Sequence, residues 1–89
     1  MKKSFQVHIL TNNKIIYEGE AVSLVAPGVR GYFGILANHA SLVAAISDGK
    51  ITIQDAVNNL KVINYQGKGF LEVLNNTVTL LLDSVKSLA

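Results

Sequence analysis

An all-β fold, a single antiparallel sandwich or barrel, follows from three features of the sequence. Short segments rich in β-branched and aromatic residues recur about every ten residues, turn chemistry separates them, and no long helical period competes. At 89 residues the chain buries roughly 60–65% of the surface its unfolded form exposes, enough for one compact core and not for two.

Each element has a local reason. Phe5, Val7 and Ile9 alternate with Gln6 and His8, which turns one apolar face inward until Thr11, Asn12, Asn13 and Lys14 reverse the chain. A second strand opens at Ile15; Gly19 weakens it and is expected to mark a bulge or kink, after which Val22 and Leu24 alternate with Ala21 and Ser23 up to a Pro27-Gly28 turn. Gly31 and Gly34 bracket Tyr32 and Phe33 in an expected exposed loop, with a positive φ foreseen at Gly34. His39, Leu42, Val43 and Ile46 also fit one helix face, so a strand preceded by one helical turn is expected over 39–46. Ser47-Asp48-Gly49 is a turn, and Ile51 and Ile53 alternate up to a reversal at Asn58-Asn59. Leu60 and Val62 are out of phase with Ile63 and Tyr65, which predicts a bulge or a strand that changes sides. Gly67 and Gly69 flank Lys68. Leu71 and Val73 then pair across Asn75-Asn76 with Val78, Leu80 and Leu82 in a closing hairpin. The domain is expected to span 1–84, with 85–89 a short tail; residues 84–89 are too few to dock and are expected to fray.

Composition excludes several functions. Charged residues are 16% and hydrophobic residues 49%, so the surface is poor in charge and part of it is expected to meet another protein. A net charge of +2, with the lysines dispersed, lacks the basic stripe that phosphate neutralisation requires and argues against nucleic acid. Absence of cysteine excludes disulfides and thiolate metal sites and fits a reducing compartment. No apolar stretch approaches the roughly 18 residues of a membrane helix, and no signal-peptide core follows Met1, Lys2 and Lys3. A soluble cytoplasmic protein without bilayer insertion is the expectation.

Chemistry is scarce. His39, Ser41 and Asp48 supply the residue types of a hydrolytic triad, yet a triad is a geometry, and neither a nucleophile elbow nor an oxyanion loop accompanies them. Two histidines and six scattered acids make no metal site, and the glycines follow no nucleotide-binding spacing. No cofactor is expected. A base-stacking platform comes with interleaved cations, and only Arg30 lies beside Tyr32 and Phe33, so Phe5, Phe33 and Phe70 are read as core. A small ligand- or oligonucleotide-binding barrel, or a small hydrolase using His39, remains the alternative to an interaction module.

The order of motifs carries a resemblance over nearly the whole chain. Ile15-Ile16-Tyr17-Glu18-Gly19, Val25-Ala26-Pro27-Gly28, Gly31-Tyr32-Phe33-Gly34-Ile35-Leu36, Ala37-Asn38-His39-Ala40-Ser41-Leu42-Val43 and Gly69-Phe70-Leu71-Glu72-Val73 succeed one another, with Val78-Thr79-Leu80 and Asp83-Ser84 at the end. This series resembles the N-terminal domain of the epsilon subunit of F-type ATP synthases. The resemblance implies a flattened β-sandwich without catalytic residues of its own. It also implies a rotor subunit that joins the gamma subunit to the polar loops of the c-ring, peripheral on the cytoplasmic face of an energy-transducing membrane. By position it assigns Arg30, Gly31, Tyr32 and Phe33 to the ring-facing side, with the Tyr32 hydroxyl free for a polar loop. Thr11, His39 and Ser41 fall to the gamma-facing side. The sequence departs from the family where these contacts fall: Tyr32 replaces a common acid, Ala37-Asn38 a Pro-Gly, and Ser41 a Pro. It ends at Ala89, where the family commonly continues into a helical hairpin, and the expectation drawn from this is coupling without nucleotide binding or inhibition.

Overall fold

The structure, a computed structural model, describes residues 3–12, 14–83 and 87–88. They form β1 (Phe5–Thr11), β2 (Lys14–Ala21), β3 (Ser23–Gly28), β4 (Gly31–Leu36), β5 (Leu42–Ile46), β6 (Gly49–Gln54), β7 (Leu60–Tyr65), β8 (Gly69–Leu74), β9 (Thr77–Leu82) and β10 (Ser87–Leu88). Among the described residues there is no helix.

The strands curl into two sheets, β2-β1-β9-β8-β5 and β10-β7-β6-β3-β4. A single bridge, Gly28 to Ile46, joins them at a corner between β3 and β5. All pairings are antiparallel except β1 with β9, which run parallel inside the first sheet. Period-2 alternation sends Phe5, Val7 and Ile9 of β1, Leu71 and Val73 of β8, and Val78, Leu80 and Leu82 of β9 into one core. From the second sheet Leu24, Ala26, Ile35, Ile51, Ile53, Ile63 and Tyr65 meet them, all at most 3% exposed. The inward faces of β1, β6 and β9, and Leu71 and Val73 of β8, were legible from alternation alone.

Asparagine serves several of the reversals. Asn12, Asn38, Asn58, Asn75 and Asn76 all hold φ between 45° and 67°, the left-handed region that Asn tolerates better than other residues with a Cβ. Asn75 and Asn76 together form the two-residue connection of the β8 to β9 hairpin that their sequence predicts.

Several local expectations are corrected. The bulge of β2 lies at Ile16, left unopposed where Ile9 pairs with Tyr17 and Leu10 with Ile15, while Gly19 sits in register opposite Val7. β3 runs through Pro27 and Gly28, and the turn falls on Val29 and Arg30. Residues 31–34 belong to strand β4 rather than to a loop, and Gly34 has an ordinary φ; the positive value is at Gly31, 125°. The helical turn before β5 is absent, because residues 39–41 are irregular. β7 needs no bulge: its register with β6 is unbroken from Gly49 opposite Tyr65 to Gln54 opposite Leu60, so Ile63 and Tyr65 point in and Leu60 points out. Phe70 is 58% exposed, since Leu71 and Val73 take the inner face of β8 and leave Phe70 and Glu72 outside. Of the tail expected to fray, Ser87 and Leu88 pair with Asn64 and Ile63 of β7; the rest lies outside the described residues.

Candidate protein-interaction surface

The β3 to β4 turn presents Arg30, exposed, followed by Gly31 in a backbone conformation that costs a side chain strain. Alternation along β4 then sends Tyr32 outward and Phe33 toward the core, where it packs half-buried. Tyr32 is 60% exposed, yet its hydroxyl is not free: it accepts a 3.0 Å bond from the Lys50 amide. The ring crosses over Pro27 to reach β6, and Gly49, with φ 150°, leaves room for it; a Cβ there would stand 2.5 Å from the hydroxyl and 2.7 Å from Pro27 Cβ. The expected free hydroxyl is therefore corrected to one held in place, with its own proton still available to a partner.

His39 and Ser41 share the exposed β4 to β5 connection, where His39 Nδ1–H donates to the Ala40 carbonyl at 2.7 Å. Asn38 N in the same connection donates to Asn76 Oδ1 at 2.7 Å, tying it to the β8 to β9 turn. Thr11 lies elsewhere. The register runs from Gly28 through Ile46, Gly69 and Leu82 to Thr11, which puts Thr11 at the Arg30 end of the first sheet. His39 adjoins the Asn76 end, about five residues of strand or ~17 Å away. Thr11 is also 8% exposed, its hydroxyl donating to the Asp83 carbonyl at 2.8 Å. The structure thus groups His39 with Ser41, and sets Thr11 apart as a side chain that secures the end of β9.

The residue types of a triad are not brought together. Asp48 follows β5, at the opposite end from His39 and Ser41, and its carboxylate accepts from Gly67 N at 2.7 Å. Near it Tyr65 donates its hydroxyl proton to the Lys68 carbonyl and accepts from Asp83 N at 3.1 Å. Burial raises the Tyr65 hydroxyl above its usual value, the bond from Asp83 N opposes this, and the Asp83 and Asp48 carboxylates add to the rise. These groups lock the β7 to β8 connection onto the end of β9. No cluster of three or more metal-ligating side chains occurs among the described residues, and no helix there is long and apolar enough to cross a membrane.

What the sequence hid is the outer face of the first sheet. Ala45, Phe70, Leu81 and Leu10 align across four strands on the solvent side. Phe70 and Leu81 are more than half exposed and Val43 is 68% exposed. Glu72, two residues along the strand from Phe70 and therefore on its face, was the available signal that Phe70 points outward. A cleft of about 650 Å³ opens between the β3 to β4 turn and residues 42–45 of β5. Such an exposed apolar row beside a cleft, flanked on its face by Glu72 and Glu18, suits recognition of another protein.

Comparison with known proteins agrees with this geometry. The family model for the ATP synthase delta/epsilon chain, beta-sandwich domain, matches residues 4–87. The ATP synthase epsilon chain of Leptospira borgpetersenii is 48% identical over 77 residues, 86% of this chain and 59% of that one. That of Chlorobium limicola is 36% identical over 83 residues, 93% of each chain. The chain thus spans about three-fifths of the Leptospira relative and nearly all of the Chlorobium one. In fold it is similar to a chain of the Euglena gracilis mitochondrial ATP synthase, OSCP/F1/c-ring structure (TM-score 0.85, 14% identity, 92% of this chain and 52% of that chain). A chain of the Tetrahymena thermophila mitochondrial ATP synthase central stalk and c-ring gives a TM-score of 0.67 at 17% identity, over 100% of this chain and 69% of that one. With the whole sandwich, its motif order and its register accounted for, the chain belongs to the ATP synthase delta/epsilon family, as its beta-sandwich domain.

Proposed function

We propose that the chain is a noncatalytic central-stalk subunit of an F-type ATP synthase, seated between a gamma-type subunit and the polar loops of a c-ring and coupling ion flow to ATP synthesis. The family match over residues 4–87 carries the reading. The exposed turn at Arg30 and Tyr32, the apolar row on the outer face of the first sheet and the core shared by both sheets support it. Torque transfer asks for shape and stiffness rather than for a reactive group. Arg30, Gly31, Tyr32 and Phe33 form the ring-facing side, and His39 and Ser41 belong to the gamma-facing side. The complex lies at the membrane surface, with this chain peripheral to the bilayer.

Tagged chain returned to its source membranes should co-purify with gamma-type and c-type subunits; its isolation free of any ATP synthase component sinks the proposal. Tyr32→Ala should loosen the link between proton pumping and ATP hydrolysis while leaving the sandwich folded. Coupling as tight as the parent's would remove Tyr32 from the contact.

A further inference from the structure

β5 pairs along its whole length with β8 on one side. On the other it has one bridge, Ile46 to Gly28, made by Val29 N donating to Ala45 O and Ser47 N donating to Pro27 O. The Ala45 carbonyl therefore faces away from β8. Because the N–H and C=O of a strand residue point to the same side and alternate residues repeat it, Ala45 N–H and both backbone groups of Val43 face the same way. They open on the cleft of about 650 Å³ whose other wall is the β3 to β4 turn. Among the described residues no backbone bond reaches them. This stretch reads Leu-Val-Ala-Ala, whereas β2, the opposite edge of the same sheet, carries Lys14, Glu18 and Glu20. Charges of that kind are how edge strands resist an added partner; the 42–45 edge has none. At the end of the cleft Arg30 stands exposed, and among the described residues no carboxylate is within ion-pair distance of it.

We propose that the open edge of β5 is a strand-addition site for an extended, apolar segment of the adjoining stalk subunit, lying in line with β3 and presenting a carboxylate to Arg30. Main-chain bonds to Val43 and Ala45 would supply affinity, and the cleft and Arg30 would fix register, the usual division of labour when a peptide joins a sheet edge. This rests on the stalk assignment above, moves Arg30 from the ring to the adjoining stalk subunit, and adds a binding mode, a backbone address and a charge.

Residue-resolved deuterium exchange on the chain within the assembled synthase, against the free chain, tests it. The Val43 and Ala45 amides should slow by about tenfold or more on assembly. Val43→Pro removes a donor that faces away from β8, where an edge strand tolerates proline. It should keep the β-type far-UV dichroism and weaken assembly by roughly tenfold, the worth of one or two net backbone bonds. Arg30→Glu should weaken assembly at low salt and less so at high salt, and Arg30→Lys should largely restore it. Assembly with Val43 and Ala45 still exchanging freely overturns strand addition and leaves the stalk assignment standing. A chain that never enters the complex overturns both. Protection that grows with concentration of the free chain alone means that a second copy takes the edge, and overturns the proposal as well.

Discussion

Asn76 bonds to two separate parts of the chain from a single turn position. Its Oδ1 accepts from Asn38 N at 2.7 Å and its Nδ2 donates to the Ser4 carbonyl at 2.8 Å, so the β8 to β9 turn also holds the β4 to β5 connection and the entry to β1. Asn75 has the same left-handed backbone without those cross-links. Glycine satisfies that backbone at both positions. Asn75→Gly should therefore change stability by no more than a few tenths of a kcal/mol, and Asn76→Gly should cost about 1–2 kcal/mol for the two lost bonds; urea midpoints of the two variants compare them directly. The turn was legible in the sequence because its backbone need is local, whereas the cross-links were not, since they depend on what folding brings to that corner. Tyr65 is a second case. Its hydroxyl serves the Lys68 carbonyl and Asp83 N, and Tyr65→Phe should cost about 1–2 kcal/mol, at the lower part of the range for stranded partners. Burial holds the proton on in the folded state above the ordinary value of 10.0. The unfolded chain releases it first, so above about pH 10 the unfolded state binds fewer protons and stability falls with rising pH. The contribution is whole below that pH and lost as pH rises through the folded value. Denaturation midpoints from pH 8 to 11 should fall more steeply for the parent than for Tyr65→Phe; parallel slopes would dispose of this account.

At the scale of elements, the second sheet is strapped as well as hydrogen-bonded. Tyr32 leaves β4, passes over Pro27 of β3 and takes the Lys50 amide of β6, a three-strand span that depends on the bare Cα of Gly49. A methyl at Gly49 would meet the tyrosine hydroxyl and a backbone-anchored proline ring, and its φ of 150° is strained for any side chain. Gly49→Ala should destabilise by about 1–3 kcal/mol and displace Tyr32, detectable as a shift of the Lys50 amide resonance. Tyr32→Ala made in the same background should recover part of that loss by clearing the overlap. A Gly49→Ala protein as stable as the parent would show that the strap is not held there. The strands themselves were legible where the two faces differ in polarity, as in β1, β6 and β9, and in β8 for Leu71 and Val73 though not for Phe70. They were misread where both neighbours are apolar: Leu60, Val62, Ile63 and Tyr65 give no polarity contrast, and only pairing with β6 fixes which of them point inward. The bulge at Ile16 was equally hidden, because it is set by the register of β1 across from it and not by the glycine three residues away. At the candidate site, Arg30 and Tyr32 could be placed on the surface from turn chemistry, but the open edge of β5 exists only because β3 turns away at Val29, a fact of topology.

For the whole molecule the question is whether two sheets joined by one backbone bridge behave as one body. Side chains answer it. Ile9 of the first sheet and Ile53 of the second are 0% and 1% exposed within the same core cluster, and β1 cannot pair with β9 until segments some 70 residues apart have met. Neither sheet can bury its inner face without the other, so unfolding is expected to be a single transition. Ile9→Val and Ile53→Val should each cost about 0.5–1.5 kcal/mol and lower the urea midpoint measured by every probe alike. The tyrosines offer the test: Tyr17 is on β2 of the first sheet, while Tyr32 and Tyr65 are on β4 and β7 of the second. With Tyr17→Phe the fluorescence reports the second sheet alone, and far-UV dichroism reports both. Coincident curves in all three proteins mean that a load applied at the Arg30 turn is carried by the entire sandwich, as a torque-bearing part of a stalk requires. If the second sheet melts ahead of the first, the corner at Gly28 and Ile46 is a hinge, and the rigid-body basis of the proposed coupling role fails with it.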